Sequence, residues 1–260
     1  MSQGKALQEI LEVIDTLLGP NGCPWDKKQT PDSLCDYLIE ETFELVTAIR
    51  NKDLDEIQEE LGDVFFLLFF IARLYQDKFS LEQTFKLNAA KMIKRHPHVF
   101  GDKKIEDIEE LLVTWEKIKK EEKEQKDKQE SVFASIPPTL PPLLRAYRIN
   151  SKAARIGFTW PKDVDQEHKL LEEWQEWLKA KASKDQDKME EEFGDYLFSL
   201  TEYARRNSIK PNSALDKANN KFLHRFQAME ELATQKGIDL SQASIEEMDR
   251  LWEEVKKICG

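Results

Sequence analysis

Four carboxylates in two pairs are the residues of this chain whose spacing most clearly suggests chemistry. The pairs are Glu41 with Glu44 and Glu60 with Asp63, and within each pair the members stand three residues apart. On a helix, residues three apart share a face, so each pair presents its carboxylates together. The same residue types recur 132 positions further on, with no gap between the pairs, as Glu173, Glu176, Glu192 and Asp195.

The apolar neighbours of these acids place them on the core-facing side of their helices. Steps of three and four residues from Glu41 reach Leu38 and Leu45, and from Asp63 they reach Leu67 and Phe70. Grouped carboxylates beside a core repel one another and become protonated unless a cation joins them. Oxygen ligands alone select a hard ion. We therefore predict a Mg2+ site in each copy, with Mn2+ as the alternative ion.

A solvated surface is the competing interpretation of such acids. The chain is 34% charged, so a single acidic pair would carry little weight. Basic and aromatic residues also recur, in sets spaced by four residues that share a helical face. Together they predict groups that bind a polyphosphate. The sets are Lys91, Arg95, Trp115 and Lys119 in the first copy, and Lys221, Arg225, Trp252 and Lys256 in the second.

The elements that position these residues all have the period of α-helices. We predict helices from Ala6 to Leu18, from Leu54 to about Tyr75, and from Leu81 to about Arg95, where His96-Pro97 ends the last one. Asp32 or Ser33 is the predicted cap of the helix that carries the first pair. A further helix is predicted from near Ile105 through Trp115.

A proline-rich segment marks a domain boundary. It runs from 136 to 142 and contains four of the ten prolines. We predict two domains, residues 1–131 and 132–260. Because no stretch shows sustained alternation of apolar and polar residues, the predicted fold is all-α, a tandem duplication of small helical bundles.

Composition limits the partners. The net charge of -11 argues against binding to a nucleic acid polymer or an anionic membrane. The longest apolar run, Val64 to Ala72, is too short to span a bilayer, and the N-terminal residues lack the pattern of a signal peptide. The three cysteines are scattered and form no paired motif, so we predict that they are reduced thiols. We expect a cytoplasmic protein.

Several motifs resemble those of the MazG family of nucleoside triphosphate pyrophosphohydrolases, over nearly the whole chain. They are GCPWD (22–26), EETFE (40–44), EELGD (59–63), KRHPHVF (94–100), EEWQE (172–176) and EEFGD (191–195). The resemblance implies an all-α, Mg2+-dependent homodimer that hydrolyses the α–β bond of a nucleoside triphosphate. The products would be a monophosphate and pyrophosphate.

The resemblance also implies a role for each candidate residue. The eight carboxylates would bind the metal, and the two basic and aromatic sets would contact the nucleotide. In two-domain members the C-terminal copy is the one usually credited with turnover, so the resemblance makes Glu173, Glu176, Glu192 and Asp195 the catalytic set. Both sites are complete in this sequence, and the residues themselves give no reason to exclude the first.

Two other classes of protein fit the same residues. One is a Mg2+-dependent nucleotide sensor without turnover, and the other is a helical interaction scaffold. Gly62 and Gly194 precede Asp63 and Asp195 in the middle of predicted helices, where glycine is unfavourable. Their recurrence predicts close approach of another backbone or a local break of the helix, and the alternative is simple inheritance by both copies from one ancestor.

Overall fold

The structure is a computed structural model, which describes residues 3–102, 104, 107, 110–111, 114–115, 118, 121–122 and 131–259. Every regular element in these residues is helical, without a strand among them. The prediction of a tandem all-α fold is confirmed. The chain divides into two compact units, Met1–Trp115 and Glu116–Gly260. The domain boundary at 131/132 stays a prediction.

The first unit contains five described α-helices and a short 3-10 helix, Asp26–Lys28. Its α-helices are α1 (Gln3–Leu18), α2 (Leu34–Asn51), α3 (Leu54–Leu74), α4 (Leu81–Arg95) and α5 (Pro97–Phe100). Pro97 is the first residue of α5, so α4 ends where the sequence predicts. The helix predicted from near Ile105 lies partly outside the described residues.

The second unit repeats this arrangement. Its described α-helices are α6 (Pro142–Arg155), α7 (Asp163–Ser183), α8 (Gln186–Arg206), α9 (Pro211–Gln235) and α10 (Ile245–Ile258). Both ends of α8, Gln186 and Arg206, lie 132 positions after those of α3, Leu54 and Leu74.

The turns before α3 and α8 correspond as closely as the helices do. Lys52 and Lys184 both adopt left-handed backbone, with φ of 61° and 59°. The carboxylate that follows each lysine, Asp53 or Asp185, accepts hydrogen bonds from backbone N–H groups of the next helical turn. Two-residue turns of this kind fold α2 back on α3 and α7 back on α8, and each pair of helices carries one set of carboxylates.

One predicted cap is wrong. Ser33 stands at the N-cap position of α2, but its side chain makes no capping hydrogen bond. Its hydroxyl instead accepts a hydrogen bond from the backbone N–H of Thr30. The loop geometry before α2 therefore uses this hydroxyl and leaves the helix end without a side-chain cap.

The interpretation of the two mid-helix glycines is also wrong for the described residues. Neither α3 nor α8 breaks at Gly62 or Gly194, and a Cβ built at either position would meet no other atom within 4 Å. Open space, rather than a close backbone, lies beside both. Gly22 differs, because a Cβ there would lie 2.0 Å from the carbonyl oxygen of Leu17.

The first unit has an apolar core built from α1, α2 and α3. Ile14, Leu34, Leu67 and Phe70 are its buried members. In the second unit, the described apolar core formed by Met229, Ala233, Leu251 and Val255 lies between α9 and α10. None of the described helices is long and apolar enough to cross a membrane.

Candidate metal and nucleotide site

The first copy brings three of its four carboxylates together. Glu41 on α2 and Glu60 and Asp63 on α3 each offer a ligand oxygen within 4.8 Å of the others. Glu44 stands outside this group, although its charge acts on both glutamates. Glu44 and Asp63 are exposed, whereas Glu41 and Glu60 are half-buried. The core-facing pattern therefore overstated the burial of half the set.

The second copy also groups three carboxylates, but not the same three. Glu173 and Glu176 on α7 and Glu192 on α8 have ligand oxygens within 4.8 Å of one another. Asp195 is exposed and lies outside the group, while Glu173 is buried, with 8% of its surface exposed. The copies thus share a site of carboxylates on two adjacent helices and differ in its composition.

Burial and mutual repulsion raise the pKa of carboxyls in both sites. Burial contributes most at Glu41, followed by the charges of Asp63 and Glu44, and the pKa of Glu60 is raised by burial and then by Glu44. At Glu192 burial again comes first, followed by Glu176 and Asp195 in raising the pKa.

A hard cation fits both groups. The donors are carboxylate oxygens, which suit Mg2+ and Mn2+. Oε2 of Glu60 is buried and has no hydrogen-bond partner among the described residues. A buried oxygen without a partner is unfavourable, and a cation would satisfy it and relieve the repulsion. The roles of the eight carboxylates as ligands stay predictions.

A lysine that the sequence did not single out enters the second site. Nζ of Lys169 lies 2.9 Å from Oε1 of Glu173, 3.3 Å from Glu172 and 4.0 Å from Oε2 of Glu176. The hydrogen bond to Glu173 is the main reason that the pKa of Lys169 is raised. The aligned residue of the first copy, 132 positions earlier, is Tyr37. Comparison of the two copies at that spacing is the sequence signal that would have revealed this lysine.

The basic and aromatic set of the second copy lies on the other helix pair of its unit. Lys221 and Arg225 belong to α9, and Trp252 and Lys256 belong to α10. The helices meet here, because the rings of Phe222 and Trp252 are 5.2 Å apart. Lys256 forms an ion pair with Glu253 of its own helix. Contact of this set with a nucleotide stays a prediction.

The first copy's set is described only in part. Lys91 and Arg95 lie on α4, and the ring of Trp115 packs edge-on against His96 at 5.1 Å. These three predicted residues therefore gather around the end of α4. Lys119 lies outside the described residues.

A cavity of about 440 Å³ adjoins the second carboxylate group. Its lining includes the charged side chains of Glu173, Asp195 and Lys169, and Phe158, Trp160 and Phe198 contribute aromatic surface. Its size is in the range of small-molecule sites. The cavity is not apparent from the sequence, because residues from the loop before α7 and from three helices form it together.

Paired helices with grouped carboxylates, present twice, define an all-α protein with a duplicated site suited to a hard cation. The model of the MazG nucleotide pyrophosphohydrolase domain matches residues 29–100 and 166–229. These ranges contain the carboxylates of both copies. The chain belongs to the MazG family, and as a member it is a hydrolase that acts on phosphorus anhydrides. The resemblance seen in the sequence is confirmed.

Curated relatives extend over nearly the full chain. The chain is 40% identical to "Nucleoside triphosphate pyrophosphohydrolase/pyrophosphatase MazG" of Thermotoga maritima, over 97% of this chain and 96% of that protein. It is 38% identical to "Nucleoside triphosphate pyrophosphohydrolase" of Escherichia coli K12, over 96% and 97% respectively. A solved structure, a mazG-related protein from Thermotoga maritima, covers 44% of this chain and 98% of its own at 30% identity, with a TM-score of 0.39.

Proposed function

We propose that this protein hydrolyses ribo- or deoxyribonucleoside triphosphates at the α–β phosphate bond. One water molecule attacks either the α- or the β-phosphorus, and the bond from that phosphorus to the bridging oxygen breaks. The products are a nucleoside monophosphate and pyrophosphate. The observation that carries the proposal is the convergence of Glu173, Glu176 and Glu192 within 4.8 Å, in a member of a nucleotide pyrophosphohydrolase family. The role we propose is control of the nucleotide pool, including removal of unwanted triphosphates, in the cytoplasm.

The proposed cofactor is Mg2+, with Mn2+ as the alternative. When bound, the ion would supply charge neutralisation, Lewis-acid polarisation and acidification of water. Glu173, Glu176 and Glu192, with Asp195 at the edge of the group, would hold it in the second copy. Glu41, Glu44, Glu60 and Asp63 would do so in the first. Net negative charge makes this cation necessary for binding an anionic triphosphate.

The basic residues have a separate part in the proposal. Lys221, Arg225 and Lys256 would stabilise negative charge on the departing pyrophosphate, with Trp252 beside them. Lys91, Arg95, Trp115 and Lys119 match this set in the first copy. Lys169 forms an ion pair with Glu173, with 2.9 Å between Nζ and Oε1.

We propose that the second copy is the one that turns over. Two features of the second unit support this assignment. Lys169 and the cavity both adjoin the second carboxylate group. At the position of Lys169 the first copy has Tyr37, whose ring packs against Trp25 at 5.8 Å.

We also propose that the protein is a homodimer. Apolar side chains remain exposed on the paired helices of the second unit, among them Leu171 at 58% and Leu178 at 43%. The rings of Trp174 and Trp177 lie 4.9 Å apart on α7 and continue this surface. Exposed apolar patches of this kind favour protein contacts, and a second copy of the chain is the proposed partner.

Product analysis tests the reaction. The chain is incubated with ATP and Mg2+ in H2(18)O, and the products are separated and weighed by mass spectrometry. AMP and pyrophosphate are expected in equal amounts, with the label showing which phosphorus water attacks. ADP and orthophosphate as primary products would contradict the α–β assignment. Intact ATP after long incubation, despite Mg2+-dependent binding, would favour the sensor.

A further inference from the structure

The cavity beside the second carboxylate group combines two kinds of surface. Glu173 and Asp195 line it with their carboxylates, and Phe158, Trp160 and Phe198 supply aromatic surface. A triphosphate bound at the carboxylates through a cation would have its nucleoside end within reach of this cavity. Flat aromatic rings and an apolar wall suit a nucleobase rather than a second phosphate group.

Gln166 lines the same cavity and has an unmatched hydrogen-bond acceptor. Its side chain is almost fully buried, at 1% exposure. Its amide nitrogen donates to the backbone carbonyl of Ser199 at 2.9 Å and to the hydroxyl of Ser199 at 3.3 Å. A carbonyl oxygen only accepts, so these contacts fix which end of the amide is nitrogen. Oε1 is left without a partner among the described residues, and the atoms around it cover it.

Comparison with the first copy shows that this buried polar group is not required by the fold. The residues 132 positions before Gln166, Ser199 and Glu202 are Leu34, Leu67 and Phe70. Those three are buried members of the apolar core of the first unit. The duplicated helices therefore pack well with apolar side chains, and the second copy has polar ones at the wall of a cavity. A buried acceptor without a partner is unfavourable unless a ligand satisfies it.

Charged side chains hold the loop that carries Trp160, one of the aromatic residues that line the cavity. Arg206 donates to the backbone carbonyl of Trp160 at 2.7 Å and forms an ion pair with Asp163. Arg205 binds Glu202 through two hydrogen bonds, at 2.7 and 2.8 Å, and Thr159 also binds Glu202, at 3.2 Å. The loop that carries Trp160 is thereby fixed against α8. A site held in place before binding favours recognition of a defined ligand.

We propose that this cavity takes the base of the nucleotide and that, once the side chains around it make room for the base, Oε1 of Gln166 accepts a hydrogen bond from an exocyclic amino group on that base. The proposal rests on the proposed function, since it assumes a nucleotide at the neighbouring carboxylates. Adenine and cytosine carry such a donor where hypoxanthine and uracil carry an oxygen. An oxo group at that position would place its oxygen, an acceptor, against Oε1 of Gln166 with no hydrogen between them. The second copy therefore prefers amino bases to their oxo counterparts.

Matched pairs of substrates test this preference. Pyrophosphate release is measured as kcat/KM for ATP against ITP and for CTP against UTP. The wild-type chain should favour the amino member of each pair by about tenfold, the size expected when a buried acceptor is left unpaired. Gln166→Leu introduces the residue found in the first copy and should bring both ratios close to one. Gln235→Leu, an exposed change at the end of α9, is the control and should leave the ratios unchanged.

The ratio of kcat/KM within each substrate pair distinguishes a loss of base recognition from a loss of folded protein. A variant that is only destabilised loses activity on both members of a pair alike. Equal use of amino and oxo substrates by the wild-type chain, or an unchanged ratio in Gln166→Leu, would overturn the proposal and leave the proposed function standing. If no triphosphate is hydrolysed, the proposed function fails, and binding tests the cavity alone. AMP should then quench tryptophan fluorescence more strongly than IMP, and Trp160→Phe should remove that difference. Equal quenching would overturn the proposal.

Discussion

Nζ of Lys169 lies 2.9 Å from Oε1 of Glu173, so the second carboxylate group contains a cation supplied by the protein itself. The first copy has Tyr37 at the aligned position and lacks this charge there. The two sites therefore present different charges to an incoming metal ion, although both are built from carboxylates on two paired helices.

Removal of Lys169 should strengthen binding of a divalent cation in the absence of nucleotide. Lys169→Met takes away a positive charge that pairs with Glu173. A partly exposed ion pair contributes about 1 kcal/mol, so we expect about fivefold tighter binding of Mn2+. Electron paramagnetic resonance measures the concentration of free Mn2+. All variants also carry Glu41→Gln, which weakens binding at the first site. Lys179→Met, an exposed change on the same helix, is the control. Weaker binding in Lys169→Met would show that the lysine supports the ion instead of opposing it.

The metal-free protein should lose stability as the pH rises. Burial and neighbouring charges raise the pKa of Glu41, Glu60 and Glu192 above the ordinary value of 4.5. Their contribution to the free energy of unfolding is then fully present below pH 4.5. It is lost as the pH rises through the raised values, because the folded state holds its protons longer.

Mg2+ should reverse this trend, since it replaces the lost protons. Thermal unfolding at a series of pH values, with and without Mg2+, measures both effects. The stabilisation by Mg2+ should be larger at pH 7 than at pH 4.5. Glu192→Gln should reduce the pH dependence, whereas Glu190→Gln, at an exposed position of α8, should leave it intact. A stabilisation by Mg2+ that is the same at both pH values would contradict the account of the carboxylates.

The duplicated sequence predicted the helices more fully than the sites. The bounds of α3 and α4 agree with their apolar periodicity, and the register of 132 residues extends to the caps Asp53 and Asp185. Local spacing fixes such features. Which three carboxylates converge depends on how two helices pack, so spacing alone did not separate Glu44 or Asp195 from the rest.

The spacing of apolar residues could not predict the cavity either. Its acceptor, Gln166, interrupts the stripe that the same spacing predicts to be apolar, and its partner Ser199 stands on another helix. Aligning the copies identifies both as polar replacements of Leu34 and Leu67. Only the folded chain shows that these replacements line an open space.

Alanine in place of Gly194 should stabilise the protein. The glycine lies within α8, and an added Cβ would meet no atom within 4 Å. Alanine is favoured over glycine in a helix by about 1 kcal/mol. Urea unfolding of Gly194→Ala should show an increase of about that size in the free energy of unfolding, and Gly62→Ala should behave alike. A decrease would mean that another molecule occupies the space beside the helix.

A charge on the exposed apolar surface of α7 should dissociate the proposed dimer. Leu178 is 43% exposed within the chain, and Leu178→Asp would bury an unpaired carboxylate if a second copy covers it. Light scattering coupled to gel filtration should give twice the chain mass for the wild type and the single chain mass for this variant. Lys179→Glu is the matched control and should keep the dimer. A monomeric wild-type chain would contradict the proposed assembly.

The most direct test of the central claim compares the two copies in one assay. Release of pyrophosphate and monophosphate from ATP with Mg2+ is measured for the wild type, Glu41→Ala and Glu173→Ala. We predict that Glu41→Ala keeps most of the activity and that Glu173→Ala loses it by roughly a hundredfold or more, as expected when charge stabilisation at a reacting centre is removed. Circular dichroism confirms that both variants remain helical. Undiminished release by Glu173→Ala would contradict the claim that the second carboxylate group carries out the hydrolysis.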